Sequence, residues 1–199
     1  MEEHYFTETP SSKRSIKEIN LKIKGINFRF LTDKGVFSRG RLDRGTKLLI
    51  ETMDVSESLK ILDLGCGYGP IGICAAKFSP ESEVVMIDIN SRAYELAKQN
   101  IKLNQLANAR VFLGDGFEPV SDMKFDLILF NPPIRAGKQL VFSLIARSKE
   151  FLNQAGALLV VARTKQGSKS ILRYMSEVFD IASEIKKGGG YRVMKGVDS

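Results

Sequence analysis

Hydrophobic and polar positions follow two periods along this chain. Near the start the period is two: Ile19, Leu21 and Ile23 alternate with polar neighbours, Gly25 interrupts, and Phe28 and Phe30 resume the alternation. That pattern predicts a β-hairpin ahead of the main domain. After the loop 32–41, Thr46 to Met53 carries helical spacing. From Lys60 onward, short apolar runs predict strands over Lys60–Leu64, Val84–Ile89, Ala109–Leu113, Phe125–Phe130 and Ala157–Ala162. Helices fall at Ile71–Phe78, at Ser91–Leu103 with Tyr94, Ala97 and Ile101 on one face, and at Gly167–Phe179 with Ile171, Met175 and Val178 at helical spacing. Apolar strands separated by helices predict an α/β domain whose parallel sheet is covered on both faces, with ligands at the carboxyl ends of the strands. The chain's last two strands, Asp180–Ile185 and Tyr191–Val197, flank residues 186–190. Five residues cannot hold a crossover helix, so this pair is expected to be antiparallel.

The length of 199 residues fits one domain, and 43% hydrophobic with 27% charged residues fits neither a disordered chain nor a membrane protein. The apolar runs are strand-sized, which speaks against a transmembrane helix. Glu2, Glu3 and Glu8 near the start are the reverse of a secretory signal, so the expected location is the cytoplasm. Cys66 and Cys74 have neither disulfide-framework nor zinc spacing and read as reduced, packed side chains.

The net charge of +7 is concentrated. Residues 13–47 hold eleven basic groups against only Glu18, Asp33 and Asp43. This fits a surface for a polyanion, of which nucleic acid is the obvious example, although a solvated basic face has the same composition. Phe28, Phe30 and Phe37 lie among these charges, where base stacking and core packing are alternative roles.

Strand Lys60–Leu64 runs into Gly65-Cys66-Gly67-Tyr68-Gly69-Pro70 and then a helix. Such a loop grips a nucleoside-bearing ligand, because glycines permit the tight turn and close approach, and Pro70 suits the first helical position. Gly67, Gly69 and Gly72 also satisfy the dinucleotide fingerprint, so spacing alone admits an NAD-dependent oxidoreductase. Asp63, in this strand, would repel a pyrophosphate but attract an amino group, which favours S-adenosylmethionine. Asp88, followed by Ile89, closes the next strand, where a carboxylate can accept both ribose hydroxyls. Asp115, followed by Gly116, could accept from an adenine amino group or serve as an ordinary turn aspartate.

Strand Phe125–Phe130 ends in Asn131-Pro132-Pro133. Two prolines donate no hydrogen bonds and fix their own φ, so the turn is rigid and displays acceptors. An exocyclic amine would give its two hydrogens to the Asn131 side-chain oxygen and the Pro132 carbonyl, holding its nitrogen ready for transfer. His4, in the terminal segment, is the lone histidine, so neither a histidine base nor a histidine metal site is expected. Cytosine-C5 methylation is set aside because no cysteine follows Pro133.

With these motifs in this order, the chain resembles class I S-adenosylmethionine-dependent methyltransferases. It is most similar to the small-domain methyltransferase family that includes the ribosomal RNA guanine-N2 methyltransferases. The matching stretches are Gly35–Ser38, Leu42–Thr46, Ile61–Gly69 and Asn131–Pro133, with a glycine-basic hairpin near Tyr191. The resemblance implies a doubly wound, Rossmann-like sheet of seven strands, mostly parallel with an antiparallel last strand. Residues 1–42 would form a basic β-hairpin extension and residues 43–199 the cofactor-binding core. It further implies that Thr46 and Phe37 border the cofactor or base pocket. Many amine methyltransferases of this kind place an aromatic residue after Asn-Pro-Pro, where this chain has Ile134. Larger ribosomal RNA members carry a second, amino-terminal domain copy, and only the catalytic unit is read here. Substrate contacts would fall to the basic hairpin, Arg39, Arg41, Ile134, Arg135, Lys138 and Lys165, or to a partner.

The expected protein is thus an S-adenosylmethionine-dependent N-methyltransferase acting on RNA, with guanine-N2 of ribosomal RNA, free or in a ribosomal particle, as the target. Protein glutamine and DNA adenine-N6 are alternative substrates with the same planar amine. An RNA-binding protein without activity and the oxidoreductase stand further off.

Overall fold

The computed structural model describes residues 14–33, 36 and 40–198. Nine strands and five α-helices follow in the order β1 (Lys17–Ile23), β2 (Ile26–Thr32), α1 (Arg44–Thr52), β3 (Lys60–Leu64), α2 (Pro70–Phe78), β4 (Glu83–Asp88), α3 (Ser91–Leu103), β5 (Ala109–Leu113), β6 (Phe125–Phe130), α4 (Lys138–Ser148), β7 (Leu152–Arg163), α5 (Ser168–Val178), β8 (Ile181–Gly188) and β9 (Tyr191–Val197). Seven of these strands form one sheet in the order β5-β4-β3-β6-β7-β9-β8. Its neighbours are parallel except around β9, which runs antiparallel to both β7 and β8. This is the architecture expected from the sequence.

The two faces of the sheet bury separate cores. Ile61, Met86, Leu129 and Val161 face α1, α2, α3 and the β1–β2 hairpin. Leu62, Val85, Ile128 and Val160 face α4 and α5. Alternate strand residues therefore go to opposite layers, which is why these strands read as continuous apolar runs.

Three details depart from the sequence reading. Helix α4 was not expected, although Val141, Leu144, Ile145 and Ser148 have helical spacing. Strand β7 begins five residues early, where Ala155 adopts a positive φ of 62° and the register against β6 slips between Phe125 and Leu127. Such a bulge masks the alternation. Lys186, Lys187 and Gly188 belong to β8, and the turn is only Gly189-Gly190, with φ of 55° and 82°. Positive φ at both central residues is the two-residue turn whose twist matches a hairpin.

The amino-terminal hairpin docks through two asparagines of α3. The Asn100 side chain accepts from the Leu31 amide at 2.7 Å and donates to the Leu31 carbonyl at 3.0 Å. One turn later, Asn104 accepts from the Arg29 amide at 3.2 Å and donates to its carbonyl at 2.7 Å. Two carboxamides thereby complete the outward edge of β2 as another strand would. Phe28 and Phe30 are buried against the helices, their rings stacked at 6.0 Å, so packing rather than base stacking is their role. Phe37 and Arg39 lie outside the described residues.

Candidate functional site

The chain moves outward from β3 to β4 and β5, then returns to the other side of β3 to form β6. Where strand order reverses, the loops leaving neighbouring strands diverge and open a crevice at their carboxyl ends. The glycine loop leaves β3 and Asn131-Pro132-Pro133 leaves β6, so the topology alone sets the two motifs on either side of it.

A cleft lies there. The glycine loop contributes Gly65, Cys66 and Gly67 to its wall, the end of β4 contributes Asp88 and Ile89, and the loop after β5 contributes Asp115 and Gly116. The opposite wall is Thr46 of α1 with Asn131, Pro132 and Pro133. Leu140 and Leu144 of the unexpected helix α4 add an apolar side that sequence reasoning missed. Both cysteines are free and buried, Cys66 at the cleft and Cys74 behind it in α2.

Asp63 and Gly69 lie behind the wall. Gly69 takes the left-handed conformation at the start of α2, with Pro70 as the first helical residue. Asp63 is fully buried: Oδ2 accepts from the Gly72 amide at 2.8 Å, while Oδ1 has no partner among the described residues. Burial pushes its pKa up to about 7, the nearby Asp88 adding to the rise and the Gly72 bond opposing it.

Asp88 joins β4 to the glycine loop. Its Oδ2 accepts from the Gly67 amide at 2.7 Å and its Oδ1 from the Asn90 amide at 2.9 Å. Burial raises its pKa to about 6 despite those two bonds. Each oxygen of a carboxylate accepts more than one hydrogen bond, so Asp88 keeps acceptor capacity toward the cleft.

Across the cleft, the Asn131 Nδ2 donates to Thr46 Oγ1 at 3.0 Å. Asp43 in turn caps α1, its Oδ2 accepting from the Gly45 and Thr46 amides at 2.9 and 3.0 Å. Pro133, at φ −73° and ψ 78°, forms an inverse γ-turn in which the Ile134 amide donates to the Pro132 carbonyl at 2.9 Å. That bond occupies one of the two acceptor positions of the Pro132 oxygen.

The residues expected beside a substrate are less gathered. Ile134 packs against the α4–α5 core instead of lining the cleft. Arg41, Arg135, Lys138 and Lys165 are exposed, outside the cleft wall. Of the basic hairpin, β2 ends near the cleft, where Asp33 meets Arg92 at 4.0 Å in the first turn of α3. Its tip lies at the far end of the molecule, with Lys24 Nζ 5.1 Å from the centre of the Phe78 ring.

The cleft suits a nucleoside-bearing cation. A Cβ at Gly65, where φ is +68°, would meet nothing within 4 Å among the described residues. The loop is thus a bare-backbone cradle, and the unpartnered Asp63 oxygen beneath it favours positive charge.

Strand order and cleft position together place the chain among the doubly wound α/β folds, whose ligand clefts lie at the sheet's switch point. More narrowly, it belongs to the methyltransferase small domain family, whose model matches residues 27–195. It is 40% identical to the uncharacterized protein YbxB of Bacillus subtilis (strain 168), over 98% of each chain. It is 37% identical to ribosomal RNA small subunit methyltransferase C of Haemophilus influenzae, over 80% of this chain and 49% of that protein. The chain therefore spans about half the length of its ribosomal RNA methyltransferase relatives. Among solved structures, the Thermus thermophilus 16S rRNA N2 G1207 methyltransferase, in complex with AdoMet and guanosine, superposes with a TM-score of 0.83 at 22% identity. That match covers 92% of this chain and 51% of the other and concerns the fold.

Proposed function

We propose that this protein is an S-adenosylmethionine-dependent N-methyltransferase acting on RNA, with the N2 amine of a guanine in ribosomal RNA as its target. The observation that carries the reading is the opposition, across one cleft, of a bare glycine cradle and a carboxamide held by Thr46. Relatives that methylate ribosomal RNA support the choice of substrate.

In this reading Gly65, Cys66 and Gly67 cradle the cofactor, which supplies when bound an electrophilic methyl group on a sulfonium. Asp88, beside Ile89, accepts the ribose hydroxyls, and Asp115 with Gly116 receives the adenine. Asp63 and Gly69 act from beneath the loop, the first by its charge and the second by shaping the turn into α2. The Asn131 side-chain oxygen and the remaining acceptor position on Pro132 take the two hydrogens of the substrate amine. Pro133 keeps that carbonyl in place. The amine nitrogen is thereby oriented, and its hydrogens are polarised where positive charge develops, without a strong base. Arg41, Arg135 and Lys165 contact the RNA outside the cleft. A guanine paired in a helix gives one N2 hydrogen to its cytosine and cannot offer both to Asn131 and Pro132, so the base must be unpaired or flipped.

The test is to incubate the protein with methyl-labelled cofactor and RNA, naked and in ribosomal particles, from cells lacking this gene, then digest to nucleosides. Label in N2-methylguanosine is expected. Label in another nucleoside would overturn the guanine assignment, and no label in any RNA, with cofactor binding intact, would shift the substrate to protein or DNA amines.

A further inference from the structure

The fold divides the basic segment that the sequence presents as one block and adds a cation to it from far along the chain. We propose that Arg44 and Arg163, flanking Tyr191, form a phosphodiester-binding arc on the β7–β9 side of the cleft for the RNA strand that carries the target base. This rests on the RNA reading above and gives that substrate a surface.

Arg163 ends β7, and its partner in register is Tyr191, the first residue of β9. Tyr191 reaches across to the start of α1. Its ring lies so close to Gly45 that a Cβ there would sit 2.7 Å from it, and its hydroxyl donates to Asp43 Oδ1 at 3.2 Å. Both arginines lie near enough to act on the phenol: burial and Asp43 raise its pKa, while Arg163 and Arg44 lower it. The Thr164 amide donates to the Gly190 carbonyl at 2.8 Å, so the loop carrying Lys165 is tied to the same turn and extends the line of positive charge.

Arg44, Arg163 and Lys165 are exposed, and none forms an ion pair among the described residues. The carboxylate among them, Asp43, is committed to two helix amides and the Tyr191 hydroxyl. This charge stands beside the catalytic turn, since Gly45 under the Tyr191 ring precedes Thr46, the residue that holds Asn131. An open row of guanidinium and ammonium groups suits a running phosphodiester chain. Lys22 and Lys24 sit at the hairpin end away from the cleft and are not part of this surface.

Binding of a fluorescent, guanine-containing single-stranded RNA would be measured by anisotropy from about 50 to about 300 mM salt. Each lost phosphate contact on a single strand lowers the log–log salt slope by about 0.7, so the double variant Arg44→Ala/Arg163→Ala should lose about 1.4 in slope and about 25-fold in affinity at 0.1 M salt. Its cofactor affinity and Tm should not change. Arg44→Lys/Arg163→Lys should keep most of the slope, and Lys22→Ala/Lys102→Ala, near the hairpin tip and in the last turn of α3, should keep all of it. Wild-type slope in the double alanine variant would overturn the arc while leaving the RNA reading in place. Failure of the wild-type protein to bind or methylate any RNA would overturn both.

Discussion

The side-chain amide of Asn131 donates to the hydroxyl of Thr46 at 3.0 Å, joining residues 85 positions apart in sequence. A carboxamide has one donor end and one acceptor end. With the nitrogen given to Thr46, the oxygen is the end left for a substrate amine. Asn131→Ala should lower kcat about 100- to 1000-fold, the range seen when one positioned hydrogen-bonding group is removed from a reacting centre. Thr46→Val should cost roughly 10-fold by freeing the amide to rotate, and Thr46→Ser should restore most of the rate. Steady-state kinetics with a parallel cofactor-binding titration checks this, and cofactor affinity should be largely retained in all three variants.

Cofactor affinity should depend on pH through Asp88. Burial raises its pKa to about 6, so the carboxylate is ionised at pH 7 and protonated below that value. Protonation removes the charge that strengthens its bonds to hydroxyls. Affinity should therefore fall as pH drops below about 6, toward 10-fold per pH unit for this group alone, with Asp63, its pKa raised to about 7, weakening the hold on the cation over the same range. Calorimetry between pH 5 and pH 7.5 measures it. Asp88→Asn should bind weakly with a flatter profile.

The same burial acts on stability with the opposite sign. Asp63 and Asp88 have folded pKa values near 7 and 6, above the ordinary 3.8, so across that window the folded chain binds more protons than the unfolded one. Their contribution is therefore greatest below the unfolded pKa and is lost as pH rises, by up to about 1.4 kcal/mol per pH unit for each group. Without cofactor, Tm should be higher at pH 5.5 than at pH 7.5 in thermal unfolding scans. A ligand cation over Asp63 should narrow the difference.

Gly65→Ala separates cradle from fold. The new methyl group meets no atom of the described residues within 4 Å, so the structural cost is that of a left-handed alanine, about 1 to 2 kcal/mol. It occupies space at the cleft, however, and cofactor affinity should fall more than 10-fold while the protein stays folded, as calorimetry and circular dichroism together would show.

Asn100→Ala tests the docking of the hairpin. It removes the bonds to both backbone groups of Leu31 and a 2.8 Å bond to the Tyr68 carbonyl in the glycine loop. Buried groups left unsatisfied cost about 1 to 3 kcal/mol each, and partial relaxation should bring the total to roughly 2 to 4 kcal/mol. Denaturant unfolding gives the loss. Hydrogen exchange at Leu31 should accelerate in parallel, because its amide loses its acceptor.

Much of this protein is legible before folding. The period of two gives the amino-terminal hairpin, and the apolar runs give the strand positions, because each sheet residue faces one of two buried layers. Short motifs such as Gly65–Pro70 and Asn131–Pro133 are legible for a related reason: their backbone constraints are local, and the strand before each motif fixes its end of the sheet. Helix α4 and the bulge in β7 were harder to read, since one packs its apolar residues on both a core and a cleft and the other interrupts its own alternation. What the sequence could not determine is which distant groups meet. The bond from Asn131 to Thr46, the two α3 asparagines completing β2, the lone Asp63 oxygen beneath the glycine loop and the pairing of Arg163 with Tyr191 all depend on strand order and helix placement. Those are set by burying both faces of the sheet at once, a condition on the whole chain that no local stretch of residues expresses.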